Sequence, residues 1–266
     1  MCGRKLTEGS NPSPSAMTGE ERLLQIFNEI ELFHWWWEGR RFLIRQIFGR
    51  YFTDGGLKIL DVGCGTGGEI SFLEKFGKVW GVDKSKMAVN YCRKKGLNNV
   101  KLGEATKLPY PGRKFDSVGL FDVLEHIKND RLALLEAKRV TRRGGLVIIT
   151  VPATPFIWSK HDVLQGHYRR YTGTSLAGVA KAAGMKVEEV RYFNILLMPP
   201  IAVIRILSRW KMLAGLGEYD SKINFDISKV GWINWLLKVI FKLEIGMGRV
   251  LDYPVGVSLV GVFRVV

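Results

Sequence analysis

The stretch Lys58-Ile59-Leu60-Asp61-Val62-Gly63-Cys64-Gly65-Thr66-Gly67-Gly68, with Trp80-Gly81-Val82-Asp83 after it, decides the fold. Ile59, Leu60 and Val62 form a short apolar run, the pattern of a strand covered on both faces. Gly63, Gly65 and Gly67 then allow a sharp turn and a close approach of backbone to a ligand. The helix opening after the turn directs free N–H groups and the positive end of its dipole at that ligand. Asp83 falls where the next parallel strand should end, a position from which a carboxylate accepts both hydroxyls of a ribose. The segment therefore predicts a site for a nucleoside-containing molecule.

Gly63-x-Gly65-x-x-Gly68 also satisfies the dinucleotide pattern. Asp61 argues against that use, because a carboxylate two residues before the first glycine repels a pyrophosphate and suits a cation. On these residues the chain resembles the class I S-adenosylmethionine-dependent methyltransferases, whose first motif is Asp/Glu-x-Gly-x-Gly-x-Gly. Asp61, Gly63, Gly65 and Gly67 match it position by position. The plain alternative is a glycine turn with Asp61 exposed or paired with a lysine. The resemblance implies S-adenosylmethionine as cofactor, held by Asp61, Gly63, Cys64, Gly65, Gly67, Asp83 and Lys84. It continues through Glu104 and Ala105, where the family places an acid at the adenine amino group and a backbone N–H at a ring nitrogen. It reaches Phe121 and Asp122 at the end of the fourth strand.

Outward from this segment, strands are expected at 57–63, 78–82, 99–102, 115–121, 145–151, 185–192 and 255–266. Helices are expected between them at 67–76, 85–95, 128–140 and 174–183. The alternation implies an α/β fold with a doubly wound, mostly parallel, seven-stranded Rossmann-like sheet. Residues 1–17 read as a disordered tail. Residues 18–56 read as an N-terminal helical cap, begun by the capping box Thr18-Gly-Glu-Glu21. Residues 57–192 form the cofactor-binding core, 193–254 an apolar and basic helical insertion, and 255–266 the closing strand.

Phe115-Asp116-Ser117-Val118-Gly119-Leu120-Phe121-Asp122-Val123-Leu124-Glu125-His126 resembles the fourth-strand motif of the type 11 branch of the family. An Asn/Asp-Pro-Pro-Tyr/Phe motif is absent here, which argues against methylation of exocyclic base amines, and no Pro-Cys pair supplies a nucleophile for pyrimidine carbon. Asp122, Glu125 and His126 have three uses open to them. His126 can act as a base or touch the acceptor. The trio is similar to the Glu-x-x-Glu-His metal-binding run of ubiquinone-pathway O-methyltransferases, with Asp122 replacing the first Glu. It also serves as plain structure. The expectation is no metal, with this trio as the alternative.

His161-Asp162 and Gly166-His167-Tyr168-Arg169-Arg170-Tyr171 resemble the His-Asp-…-Gly-His-x-Arg-Arg-Tyr signature of bacterial methyltransferases often encoded with cell-surface glycan genes. The resemblance implies His161 and His167 at the acceptor, and Arg169, Arg170 and Tyr171 in substrate binding, with the arginines as an anion clamp. A surface loop pairing local acids is the alternative. His34-Trp35-Trp36-Trp37-Glu38-Gly39-Arg40-Arg41 resembles the N-terminal element of the same branch and implies Trp36 and Arg40 beside the substrate. Ordinary helix packing is the alternative there.

Forty basic against 25 acidic side chains give a net charge of +15, spread over the body of the chain. Such a field favours anionic partners. Cys2, Cys64 and Cys92 provide no disulfide framework and no metal spacing, so a reducing, cytoplasmic setting is expected. No run reaches the roughly 18 apolar residues of a membrane span. Trp232, Trp235, Leu236, Val239, Ile240 and Leu243 form a helical apolar stripe with lysines elsewhere, which suits a lid, core packing, an oligomer contact, or a helix lying on a membrane surface through residues 195–245. The expected function is methyl transfer from S-adenosylmethionine to an amphipathic or anionic acceptor at oxygen, peripheral to the inner face of a membrane. The alternative is a catalytically silent binding module of the same fold at a membrane or nucleic-acid surface. Nucleic acid is the less expected partner.

Overall fold

A computed structural model of the chain describes residues 19–53, 55–213, 230–248 and 250–266. The expected tail at 1–17, the Thr18 cap and residues 214–229 of the insertion lie outside the described residues. Leu57–Val62 (β1), Gly77–Asp83 (β2), Val100–Leu102 (β3), Phe115–Phe121 (β4), Thr141–Pro152 (β5), Met185–Phe193 (β6) and Ser258–Val265 (β7) form one sheet. Its order is β3-β2-β1-β4-β5-β7-β6. β1 to β5 run parallel, and β7 is antiparallel to both β5 and β6. The order reverses between β1 and β4, so their carboxyl ends open a crevice where such sheets bind ligands.

Helices cover both faces. Trp35–Tyr51 (α2, after Gly19–Ile30 as α1), Gly68–Leu73 (α3) and Lys86–Lys94 (α4) lie on one side, with Asp130–Val140 (α5) and Gly173–Ala182 (α7) on the other. Lys160–Leu164 (α6) follows β5. Ile59, Leu60 and Val62 are all buried, as a strand covered twice requires. Ser85 caps α4, its hydroxyl accepting from Ala88 N–H at 3.4 Å, and Asn129 caps α5 through Leu132 N–H at 3.0 Å. β5 begins at Thr141, earlier than expected, after an irregularity between Phe115 and Ser117 in its pairing with β4. β7 begins later, at Ser258, because the Gly256 carbonyl accepts from the Thr154 hydroxyl and that of Val257 from Ala153 N–H.

The insertion supplies Met198–Leu213 (α8) and Gly231–Met247 (α9), and α9 packs along α2. Gly39 makes this possible: a Cβ there would lie 1.9 Å from Cδ1 of Phe241. The Trp36, Phe193 and Phe241 rings stack, with centroids 5.5 to 5.9 Å apart. Asn234 joins the elements through polar contacts, accepting from Trp35 N–H at 2.8 Å and donating to the Phe33 carbonyl at 2.9 Å. Glu244, fully buried, accepts the N–H groups of Ile195 and Leu196 at 3.0 and 2.9 Å. A buried carboxylate is tolerated when its oxygens are hydrogen-bonded in this way.

Candidate active site

The turn after β1 is left-handed at Gly63, Gly65 and Gly67, with φ of 72°, 52° and 91°. Any side chain is strained there, and a Cβ on Gly63 would meet Val123 at 2.5 Å. Asp83 braces the turn. Its Oδ2 accepts from Gly65 N–H at 2.9 Å and its Oδ1 from Ser85 N–H at 2.8 Å. Asp61 is 2% exposed, and its Oδ2 has no hydrogen-bond partner. The exposed alternative for Asp61 is therefore incorrect. Burial, with the charge of Glu69 next, holds its carboxyl well above the usual range.

Beyond the turn lies a cavity of about 500 Å³. Its polar wall contains Asp61, Thr66, Glu69, Asp122, Glu125 and the three histidines 126, 161 and 167. Its apolar wall comes from Leu23, Leu24 and Phe27 of α1, Trp36 of α2, and Leu197, Ile201 and Ile204 in and before α8. The cap and the insertion thus close over the carboxyl end of the sheet.

Arg40 lines the cavity but is committed to the protein. Its Nη1 donates to Asp122 Oδ2 at 2.5 Å and its Nη2 to Glu69 Oε1 at 2.9 Å, while Arg41 pairs with the same Glu69 oxygen at 3.3 Å. It fastens α2 to the first turn of α3 and to the end of β4. Asp122 has φ of 57°, uncommon for a residue with a side chain, and also accepts from the Thr150 hydroxyl at 3.1 Å. Strain of this kind concentrates at working sites.

Past β5 the organising residue is Asp162, fully buried at the start of α6. It accepts from Ser159 N–H at 2.9 Å and from Arg170 at 2.7 Å, and meets His167 Nδ1 at 3.1 Å and Arg205 at 3.4 Å. Burial alone would raise its pKa, but the His167 hydrogen bond and the charges of Arg170 and Arg205 hold it below the usual range. Burial, then His167, pushes His126 down to about 4. Burial, then Arg205, pushes His161 to about 4. Both imidazoles are neutral at pH 7.

Of the residues expected at the site, Trp36, Arg40, Asp61, Gly63, Cys64, Gly65, Phe121, Asp122, His126, His161, His167 and Arg170 line the cavity. Gly67, Asp83, Lys84, Glu104, Ala105, Arg169 and Tyr171 are not in its lining. Glu104 and Ala105 follow β3 at the sheet edge, two strands from β1, and Glu104 is exposed beside Thr106. The anion clamp expected at Arg169 and Arg170 is not what the structure shows. Arg170 binds Asp162 and the Ala153 carbonyl, and Arg169 binds Asp130 and the Lys128 carbonyl. Tyr171 is buried and donates to Asp130 at 2.9 Å. The reason is local: the buried Asp162 requires a cation as partner, and the half-buried Asp130 engages Arg169. Glu69, Thr66 and Asp162 were not singled out from the sequence, although an acid in the first turn after the glycines marks Glu69.

The donor set suits the expected cofactor. Oδ2 of Asp61 and Oε2 of Glu69 are buried acceptors without partners in the cavity wall. Oxygens of this kind match the cationic and N–H-bearing end of S-adenosylmethionine.

The methyltransferase domain family Methyltransf_11 matches residues 60–149. Over 135 residues the chain is 31% identical to a demethylmenaquinone methyltransferase of Geobacillus stearothermophilus, covering 47% of this chain and 58% of the relative. The chain spans 38% to 58% of the length of the first three curated relatives it matches. Among solved structures, a complex of the Haloferax volcanii Trm112 methyltransferase activator with a putative methyltransferase aligns at a TM-score of 0.57 and 14% identity, over 92% of this chain and 94% of that one. A putative sarcosine dimethylglycine methyltransferase of Galdieria sulphuraria aligns at 0.54 and 17% identity, over 84% and 83%. These structures share the fold, and the sequence match places the family on the segment that carries the glycine turn and the end of β4. Residues 60–149 therefore belong to a class I S-adenosylmethionine-dependent methyltransferase domain.

Proposed function

We propose that the whole chain transfers a methyl group from S-adenosylmethionine to an oxygen of an acceptor with an apolar body. The observation that carries this reading is the buried Asp61 carboxylate, its Oδ2 without a partner, in the lining of a cavity that also has many apolar side chains in its lining. When bound, S-adenosylmethionine supplies a methyl group on a sulfonium. Asp61 and the Gly63–Gly65 turn, braced by Asp83, would hold it. Trp36, Leu197, Ile201 and Ile204 exclude water and hold the apolar part of the acceptor. His161, neutral in the cavity wall, can accept a hydrogen bond from an acceptor hydroxyl. Orientation and loss of water give most of the rate in such a displacement. The anionic half of the expected acceptor is left without its clamp, since Arg169 and Arg170 are engaged internally. The silent-module alternative is not favoured, because Asp61, Gly63, Gly65 and Asp83 are all present in a formed turn.

The same reading places the protein at a membrane surface. No helix among the described residues is long and apolar enough to cross a membrane. Trp232 and Trp235 on α9 are 70% and 59% exposed, and Leu236 and Leu243 on that helix are exposed too. Val203, Ile206 and Leu207 of α8 are also exposed. Ile204 belongs both to the exposed apolar side chains of α8 and to the cavity lining. The test uses anionic vesicles carrying a bacterial lipid extract and label in the cofactor methyl group. Label should enter the apolar fraction, and the protein should sediment with vesicles at low salt and be released as salt rises, since screening acts over about 10 Å at 0.1 M. Replacing both Trp232 and Trp235 with Ala should abolish sedimentation and spare cofactor binding. A protein that ignores vesicles and methylates a small soluble acceptor would refute the reading.

A further inference from the structure

We propose that Glu125, His126 and His167 form a binding site for a divalent cation of the Zn²⁺, Fe²⁺ or Mn²⁺ kind in the wall of the cavity. A Glu125 carboxylate oxygen and one ring nitrogen from each histidine all lie within 4.8 Å of one another. Ligand atoms around one such ion sit about 3.3 Å apart, so a small closing of side chains completes the set. All three residues face the cavity. Glu125 and His126 come from the turn Leu124–His126 after β4, and His167 from the loop after α6. The Tyr168 N–H donates to the Glu125 carbonyl at 2.8 Å and holds the two segments together.

Three observations separate this cluster from an incidental one. Glu125 is 1% exposed, and its Oε2 has no hydrogen-bond partner. His167 is held at Nδ1 by the buried Asp162 carboxylate at 3.1 Å, which leaves Nε2 for the cluster. A carboxylate on the far nitrogen is the contact that orients metal-binding histidines. The His126 ring stands at 80° to that of His167 with centroids 4.7 Å apart. Asp122, a member of the trio expected from sequence, is not part of the set, because Arg40 and Thr150 engage its two oxygens. Two imidazoles with one carboxylate favour a transition-metal ion over Mg²⁺ or Ca²⁺, which prefer all-oxygen sites. Three protein ligands leave open positions toward the cavity. That an acceptor oxygen occupies one of them rests on the methyl-transfer reading; the ion site itself does not.

The test titrates the full chain, stripped with chelator and dialysed, with Co²⁺, followed by visible absorption and by calorimetry. Binding of S-adenosylmethionine to the same samples is measured separately. One Co²⁺ per chain with ligand-field bands is expected, and a tenfold excess of Mg²⁺ should not displace it. Glu125→Gln and His167→Gln should each weaken Co²⁺ binding by at least about 10²-fold, while S-adenosylmethionine affinity stays within about threefold and reports an intact fold. No saturable Co²⁺ binding by wild-type protein that binds S-adenosylmethionine would overturn the inference, as would equal Co²⁺ affinity in both variants. Co²⁺ binding without S-adenosylmethionine binding would retain the ion site and refute the transfer reading instead.

Discussion

Asp61 and His161 both line the cavity, and burial moves both toward their neutral forms. For His161 the consequence is a group that stays uncharged well below its ordinary pKa. The unfolded chain takes up a proton there as pH falls through about 6.5, whereas the folded chain refuses it until about 4. The contribution of His161 to stability is therefore complete above pH 6.5 and is lost as pH falls toward 4. Asp61 runs the other way: its raised pKa means the folded state keeps a proton that the unfolded state releases, so its contribution is lost as pH rises. A melting curve mixes the two, so the His161 ring is better read alone by NMR. Its resonances should stay those of a neutral imidazole from about pH 7.5 to 5.5. A titration midpoint near 6.5 would show that His161 is solvated and outside the wall.

At the scale of elements, the contact between α2 and α9 determines the shape of the cavity, and it depends on Gly39. Gly39→Ala forces a methyl group into the Phe241 ring. After allowing for the better helix propensity of alanine, the cost should be about 1–2 kcal/mol in urea unfolding. In a Phe241→Leu background the same substitution should cost much less, because the ring edge is gone. Equal costs in both backgrounds would mean that the helices do not meet as described. The sheet was largely legible in the sequence, because each strand is a local apolar run bounded by glycines and helix caps such as Ser85 and Asn129. The α2–α9 contact was not. Asn234 and Glu244 read as ordinary polar residues, and their partners lie 199 and 49 residues away for Trp35 and Ile195. Periodicity marked an apolar stripe on α9 without indicating what it covers. The glycine turn was legible for the same local reason as the strands. The roles of Arg40, Arg169 and Arg170 were not, since the acids that engage them are brought in only by folding.

For the whole molecule, the same sheet order supports many chemistries, so the fold does not by itself determine the reaction. The particular content here is a glycine turn braced by Asp83, a buried acid beneath it, and a cavity closed by the cap and the insertion. Those features describe a protein that binds a cationic nucleoside in contact with an apolar chamber. Calorimetric titration of the full chain with S-adenosylmethionine, and separately with NAD, tests this most directly. One saturable site for S-adenosylmethionine, no binding of NAD, and a loss of about 1.5–3 kcal/mol in Asp83→Ala, the scale of a hydrogen bond to a charged group, are expected. Tight NAD binding with no response to S-adenosylmethionine would contradict these expectations.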